Sequence, residues 1–135
     1  FKHIDAALEA RRAVDARYRE CLAGIVGIQC APPYASARHN YAYFPIMVDQ
    51  RHPLSRDALY QKMRDAARQP VYARRYFHPL ISEFPMYRGM PSARPENLPV
   101  ASHAASQVLC LPCYPGLSRA EQDWIVSLIA DRDYE

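Results

Sequence analysis

Val71-Tyr72-Ala73-Arg74-Arg75-Tyr76-Phe77-His78-Pro79 is short, β-prone and dense in aromatic and cationic side chains, with prolines at 70 and 79 marking its ends. In an extended strand, successive side chains point to opposite faces. Tyr72, Arg74, Tyr76 and His78 then share one face, and Val71, Ala73, Arg75 and Phe77 the other. The second set reads as a core face, with Arg75 as its exception. The first is a row of donors and rings suited to an anionic ligand that carries a flat group. An exposed edge strand with solvated arginines accounts for the same residues equally well.

On the N-terminal side of this stretch, Ser55 is placed to cap a helix running to about Ala67, with Leu59, Met63 and Ala66 on its buried face. Before it, residues 41–49 form the clearest strand, and Pro45 inside them predicts an edge position or a bulge. Residues 31–40 read as a turn region and Ile25–Cys30 as a short extended piece. Residues 1 to about 23 read as a helix with Ile4, Leu8, Val14, Tyr18 and Leu22 near one stripe, ended by Gly24 and Gly27. On the C-terminal side, residues 80–99 hold Pro85, Pro91, Pro95 and Pro99 and read as a long loop, a kind of segment that often carries function. A short helix around 101–108 leads into apolar Leu109-Cys110-Leu111-Pro112, which can pair as a strand. Ser118-Arg119-Ala120-Glu121 is a capping box opening a final helix whose apolar face is Trp124, Ile125, Leu128 and Ile129. This order predicts an α+β domain: a small antiparallel or mixed sheet with helices packed on one face.

The 135 residues are 50% hydrophobic and 23% charged, enough for a single globular domain with a modest core. A net charge of +3 is too small to argue for nucleic acid or an anionic membrane surface. Of the 17 basic residues only Lys2 and Lys62 are lysine. Arginine forks suit phosphate and carboxylate, although a GC-rich coding bias enriches arginine too. No apolar run approaches the ~20 residues that span a bilayer, and a signal peptide is not expected. The chain begins at Phe1 without an initiator methionine, so a domain excised from a longer or processed protein is expected.

Cys110-Leu111-Pro112-Cys113 formally matches C-x-x-C, but Tyr114-Pro115-Gly116 after it is a turn, not the start of a helix. Neither Cys21 nor Cys30 nor any histidine pair completes a metal-ligand set. Reduced, structural thiols and a cytosolic location are expected. The histidines show no metal spacing, the four glycines are isolated, and no nucleophile elbow or paired carboxylates stand out. The stretch 72–78 has the make-up for stacking single-stranded nucleic acid, yet the domain as a whole is barely basic.

Several segments together resemble the C-terminal small domain of the DegT/DnrJ/EryC1/StrS aminotransferases, pyridoxal-phosphate enzymes that aminate nucleotide-linked keto sugars. The Arg11-Arg12 helix with Tyr18 and Leu22 is similar to the family's first small-domain helix, and Asn40–Val48 to its central strand. Arg74-Arg75-Tyr76-Phe77-His78-Pro79-Leu80 resembles its RRYF-x-PL segment. Leu98-Pro99-Val100-Ala101, Leu109-Cys110-Leu111-Pro112 and the Leu117-Ser118-x-x-Glu121 helix start match its closing run. Where the family commonly has Gly-Ile before this strand, the chain has Gln69-Pro70-Val71.

The resemblance covers nearly the whole chain and carries several implications. The intact enzyme would be a homodimer using pyridoxal phosphate, with glutamate as amino donor and a nucleotide-linked 4-keto-6-deoxy sugar as acceptor. The form of the Arg74–Pro79 and Phe84–Arg88 segments points to a dTDP sugar, as in O-antigen synthesis. Arg74, Tyr76 and His78 would lead the substrate contacts, with Arg75 and Arg88 behind them. The family's large domain, with the lysine that anchors the cofactor, has no counterpart here. Neither Lys2 nor Lys62 sits in a matching context, so the chain alone is expected to hold no cofactor and to be inactive. An apolar surface is expected where the large domain would pack. Two other readings remain: a stand-alone, non-catalytic module binding sugar nucleotides or a protein, and a small nucleic-acid-binding domain.

Overall fold

A computed structural model of the chain describes residues 3–32 and 39–131. Helix α1 (Ile4–Leu22) is followed by strands β1 (Ile28–Cys30) and β2 (Phe44–Val48), then helix α2 (Arg56–Arg64). Three single turns of 3₁₀ helix, Ile81–Glu83, Pro91–Ala93 and Pro95–Asn97, lead to helix α3 (Pro99–Gln107), strand β3 (Val108–Leu111) and helix α4 (Arg119–Ala130). The strands form one antiparallel sheet in the order β1-β2-β3. The architecture is α+β, as expected. Residues 1 and 2 of the expected first helix, and most of the expected turn at 31–40, lie outside the described residues.

Alternation along β2 decides which face of the sheet is covered. Phe44, Ile46 and Val48 are buried, and their β3 partners Leu111 and Leu109 share that face in register. This row makes one apolar core with Val14, Tyr18 and Leu22 of α1, Leu59 and Met63 of α2, and Ile125, Leu128 and Ile129 of α4. Tyr18 is fully buried with its ring 4.9 Å from Phe44, and its hydroxyl donates to the carbonyl of Pro112 at 3.1 Å, so the polar end of a core residue is satisfied. Burial pushes that phenol well above its ordinary pKa, leaving it a donor throughout the accessible pH range. Between α1 and α4, Gln122 donates to the carbonyl of Val14 at 3.1 Å and Arg17 pairs with Asp123.

Pro45 does not mark an edge or a bulge: it sits in the central strand, directly opposite Cys110. Parity of the ladder explains why this is tolerated. The N–H and C=O of Cys110 are both engaged by Arg74, at 2.8 and 2.9 Å. Pro45 and Cys110 are therefore a non-hydrogen-bonded pair, and the proline's missing donor faces the β1 side. There β1 has already ended, its last partner being Cys30 opposite Ile46.

The expected strand over 71–79 is also corrected. Only Arg74 pairs, in an isolated bridge to Cys110. Val71 and Ala73 are buried while Tyr72 and Arg74 are exposed, as alternation predicts. The next inward position is Arg75, whose charge cannot enter an apolar core unpaired, and the alternation stops there. The chain turns at Tyr76–Phe77, with Phe77 in the left-handed region at φ 49° and 68% exposed.

A buried cation fastens α3 to α2. Arg56 is 3% exposed, and its Nη1 donates to the carbonyls of Ala105 (2.8 Å) and Val108 (3.1 Å), closing the C-terminal end of α3. Its Nε lies 2.9 Å from Asp57, an ion pair without hydrogen-bond alignment. Arg56→Met keeps the aliphatic stem but strands two carbonyls. Urea unfolding is expected to show a loss of roughly 2–4 kcal/mol, and an unchanged midpoint would remove this clamp from the account.

Candidate functional site

A cavity of about 590 Å³ opens between residues 69–74, the end of β3 and the first turns of α4. That volume suits a small molecule or part of one. Three bonds hang the 69–74 segment along its wall. The N–H of Val71 donates to Met63 at the end of α2 (2.8 Å), Arg74 bridges Cys110, and the Trp124 indole donates to the carbonyl of Gln69 (2.9 Å). Leu111, Leu117 and Ile125 form apolar wall, and Tyr43, Tyr72, Tyr114 and Trp124 supply rings. Arg64 stacks over Tyr72 at 5.5 Å and Arg68 over Trp124 at 5.4 Å, so the aromatic wall has a cationic border.

The polar groups of the cavity are not equivalent. Glu121 is occupied as the second half of a capping box: Ser118 N–H and Oγ donate to it at 2.8 and 2.7 Å, and these bonds hold its carboxyl below the ordinary range. Burial pushes the Cys110 thiol up to about 11 and also raises Cys113, whose Sγ–H donates to the carbonyl of Tyr41 at 3.4 Å. Such thiols are poor nucleophiles near neutral pH. Among the described residues, no group of three or more His, Cys, Asp or Glu is arranged to hold a metal ion. Arg74 differs from all of these. It lines the cavity, is exposed, and has no carboxylate paired with it among the described residues. An unpaired guanidinium among rings is equipped to bind a phosphate or carboxylate attached to a flat or hydroxylated group.

The five residues singled out in the sequence are not gathered into one site. Arg74 lines the cavity. Tyr76 is half-buried beside it, its ring 5.3 Å from Tyr43 and 4.1 Å from Phe77. Arg75 turns to α2, where it bonds Asp57 at 3.2 Å and lies 4.7 Å over Tyr60. Partial burial opposes ionisation of Asp57, but Arg56 and Arg75 together hold its carboxyl below the usual range. His78 and Arg88 are exposed and line no part of the cavity. Sequence reasoning did not select Tyr43, Tyr114 or Trp124. Only Trp124 carries a signal, its place on the apolar stripe of α4, and that signal points to the core.

The cofactor expected from the resemblance needs a lysine at its anchoring point. Among the described residues the single lysine, Lys62, lies on α2, ion-paired with Asp131 and outside the cavity lining; Lys2 lies outside the described residues. The described residues therefore do not fit a covalent anchor for pyridoxal phosphate.

Comparison with known proteins places the chain. The profile of the DegT/DnrJ/EryC1/StrS aminotransferase family matches residues 1–130. A dTDP-4-amino-4,6-dideoxy-D-glucose transaminase of Escherichia coli is 42% identical over 118 residues, covering 87% of this chain and 31% of the relative. Its namesake from Shigella dysenteriae is 37% identical over 131 residues, covering 97% and 34%. The crystal structure of S. venezuelae DesV in complex with a ketimine intermediate superposes with a TM-score of 0.79 at 27% identity, over 98% of this chain and 34% of that one. The chain thus spans about a third of the length of the curated relatives it matches. It belongs to the DegT/DnrJ/EryC1/StrS aminotransferase family.

Proposed function

We propose that the chain is the small domain of a pyridoxal-phosphate-dependent sugar aminotransferase. The intact enzyme moves an amino group from glutamate to the C4 carbonyl of a dTDP-linked 4-keto-6-deoxy sugar, releasing 2-oxoglutarate. The observation that carries this reading is 42% identity, over 87% of the chain, to a transaminase named for a dTDP-4-amino-4,6-dideoxy sugar. The cofactor, which serves as electron sink for the amino transfer, is held by the remainder of the enzyme, as is the lysine. The enzyme works as a cytoplasmic homodimer.

This chain's part is to bind. Arg74 offers charge-assisted donors to the diphosphate or the hexose, and Tyr43, Tyr72 and Tyr76 supply faces and hydroxyls around it. His78 and Arg88 reach the substrate only if the 77–100 segment folds toward it in the intact enzyme. Arg75, engaged with Asp57, positions α2 against the segment and does not touch substrate.

The test is to assay the longer protein and the 135-residue chain side by side with glutamate, pyridoxal phosphate and dTDP-4-keto-6-deoxyglucose. Turnover is expected from the first and none from the second. Tight binding of the dTDP sugar by the isolated chain would favour a stand-alone binding module instead, and salt-sensitive binding of single-stranded DNA would favour a nucleic-acid module.

A further inference from the structure

No residue from Arg74 to Ala104 is buried. Of the twelve exposed large hydrophobic side chains in the described residues, seven fall between Phe77 and Val100. Phe77, Ile81, Met86 and Val100 are each at least 67% exposed, and Met90 is 49%. Single exposed apolar residues need no explanation, but a run of them does.

This segment is not irregular in the way that solvated loops are. Consecutive i to i+3 bonds organise it: Glu83 to Leu80, Phe84 to Ile81, Tyr87 to Phe84, Met90 to Tyr87, Ala93 to Met90 and Asn97 to Arg94. The Glu83 carboxylate accepts from Leu80 N–H at 2.8 Å, and the Asn97 amide donates to Pro91 at 2.7 Å. Each of these bonds stays within the segment, and none of its residues belongs to the apolar core. Ordering residues costs about 1–2 kcal/mol of backbone entropy each, and burial on this chain returns only part of that cost: Phe84 and Tyr87 are partly covered, while Phe77, Ile81, Met86 and Val100 stay exposed. Prolines at 79, 85, 91, 95 and 99 lower the cost by restricting the unfolded segment. The result is a preorganised arm whose apolar side chains this chain covers only in part.

We propose that residues 77–100 are a docking arm whose apolar side chains are buried against the part of the longer aminotransferase that this chain does not span. The inference rests on the small-domain reading above. What points to that occupant is length: the relatives that match this chain over 87% and 97% of its residues are about three times as long. The same arm therefore exists in proteins with ample further polypeptide to cover it. The complementary surface is apolar, with carboxylates at its border, because Arg88 and Arg94 project from the arm without an ion-pair partner among the described residues.

Methionine oxidation by dilute peroxide reads the burial directly, because Met86 and Met90 lie on the arm and Met63 is fully buried in the core. In the 135-residue chain, Met86 and Met90 are expected to form sulfoxide at least about tenfold faster than Met63. In the longer enzyme both are expected to slow toward the Met63 rate. Oxidation of Met86 and Met90 at the isolated-chain rate in a longer enzyme that transfers amino groups would overturn the docking arm while leaving the functional reading intact. Protection that arises in the isolated chain and fades on dilution would overturn it in favour of contact between copies of this chain. A longer protein that transfers no amino group would count against the functional reading separately, whatever the methionines do.

Discussion

Gly27→Ala is expected to cost roughly 3–5 kcal/mol, a large part of the stability of a domain this size. Gly27 sits between α1 and β1 at φ +78°, and a Cβ there would lie 2.1 Å from the backbone nitrogen of His52 and 2.6 Å from its Cα. These are backbone atoms, so no side-chain rotation relieves the overlap. The contact also lies where several elements are tied together. Asp49 N–H donates to the Gly27 carbonyl at 2.8 Å, and the buried His52 ring bonds the Ile129 carbonyl through Nε2 and accepts from Leu54 N–H through Nδ1. Displacing His52 therefore disturbs the turn between β2 and α2 and the end of α4 together. Gly24→Ala is the control: its φ is +81°, but nothing lies within 4 Å of the added carbon. Only the left-handed backbone cost of about 1–2 kcal/mol remains. Chemical denaturation of the two variants separates overlap from backbone preference. Equal losses would show that the loop shifts to make room.

The second large effect is on turnover. In the intact enzyme, Arg74→Ala is expected to lower kcat/KM for the dTDP sugar by roughly 10- to 100-fold, the loss of one or two charge-assisted hydrogen bonds. Most of the change should appear in KM if, as proposed, the group binds substrate without joining the chemistry. Arg74→Lys should recover part of it, since a point charge replaces a fork. Arg75→Ala next door should change kcat/KM by less than about threefold, because its guanidinium is already committed to Asp57 and Tyr60. Steady-state kinetics on the three variants decides the matter. Equal effects at 74 and 75 would mean that the cavity is not where the sugar nucleotide binds.

The contrast between those two arginines shows what could be read without coordinates. Local rules carried far where local forces dominate. The Ser118–Glu121 capping box, the Ser55 cap, which accepts from Ala58 N–H at 3.2 Å, and a strand within residues 41–49 appear where the residues said they would. Inference failed where the outcome depends on a partner elsewhere in the chain. Pro45 is compatible with a central strand only because of the pairing parity at Cys110 and the early end of β1, and neither is visible in residues 41–49. The strand expected over 71–79 has two good inward positions, Val71 and Ala73, but the next is Arg75, whose charge an apolar core does not take unpaired, and Phe77 beyond it stays exposed. Tyr43, Tyr114 and Trp124 reach one cavity from β2's approach, the turn after β3 and α4. Nothing in their spacing announces that. The family motifs, by contrast, were legible, because they run in order along nearly the whole chain.

The most direct test follows the nitrogen. The longer enzyme carrying this chain is incubated with pyridoxal phosphate, ¹⁵N-labelled glutamate and dTDP-4-keto-6-deoxyglucose, and the products are resolved by mass spectrometry and NMR. The expected result is label on the C4 amino group of a dTDP-4-amino-4,6-dideoxy sugar, with one 2-oxoglutarate formed for each label transferred. Recovery of the keto sugar unchanged, with the label still in glutamate and the enzyme folded and loaded with cofactor, would contradict the account.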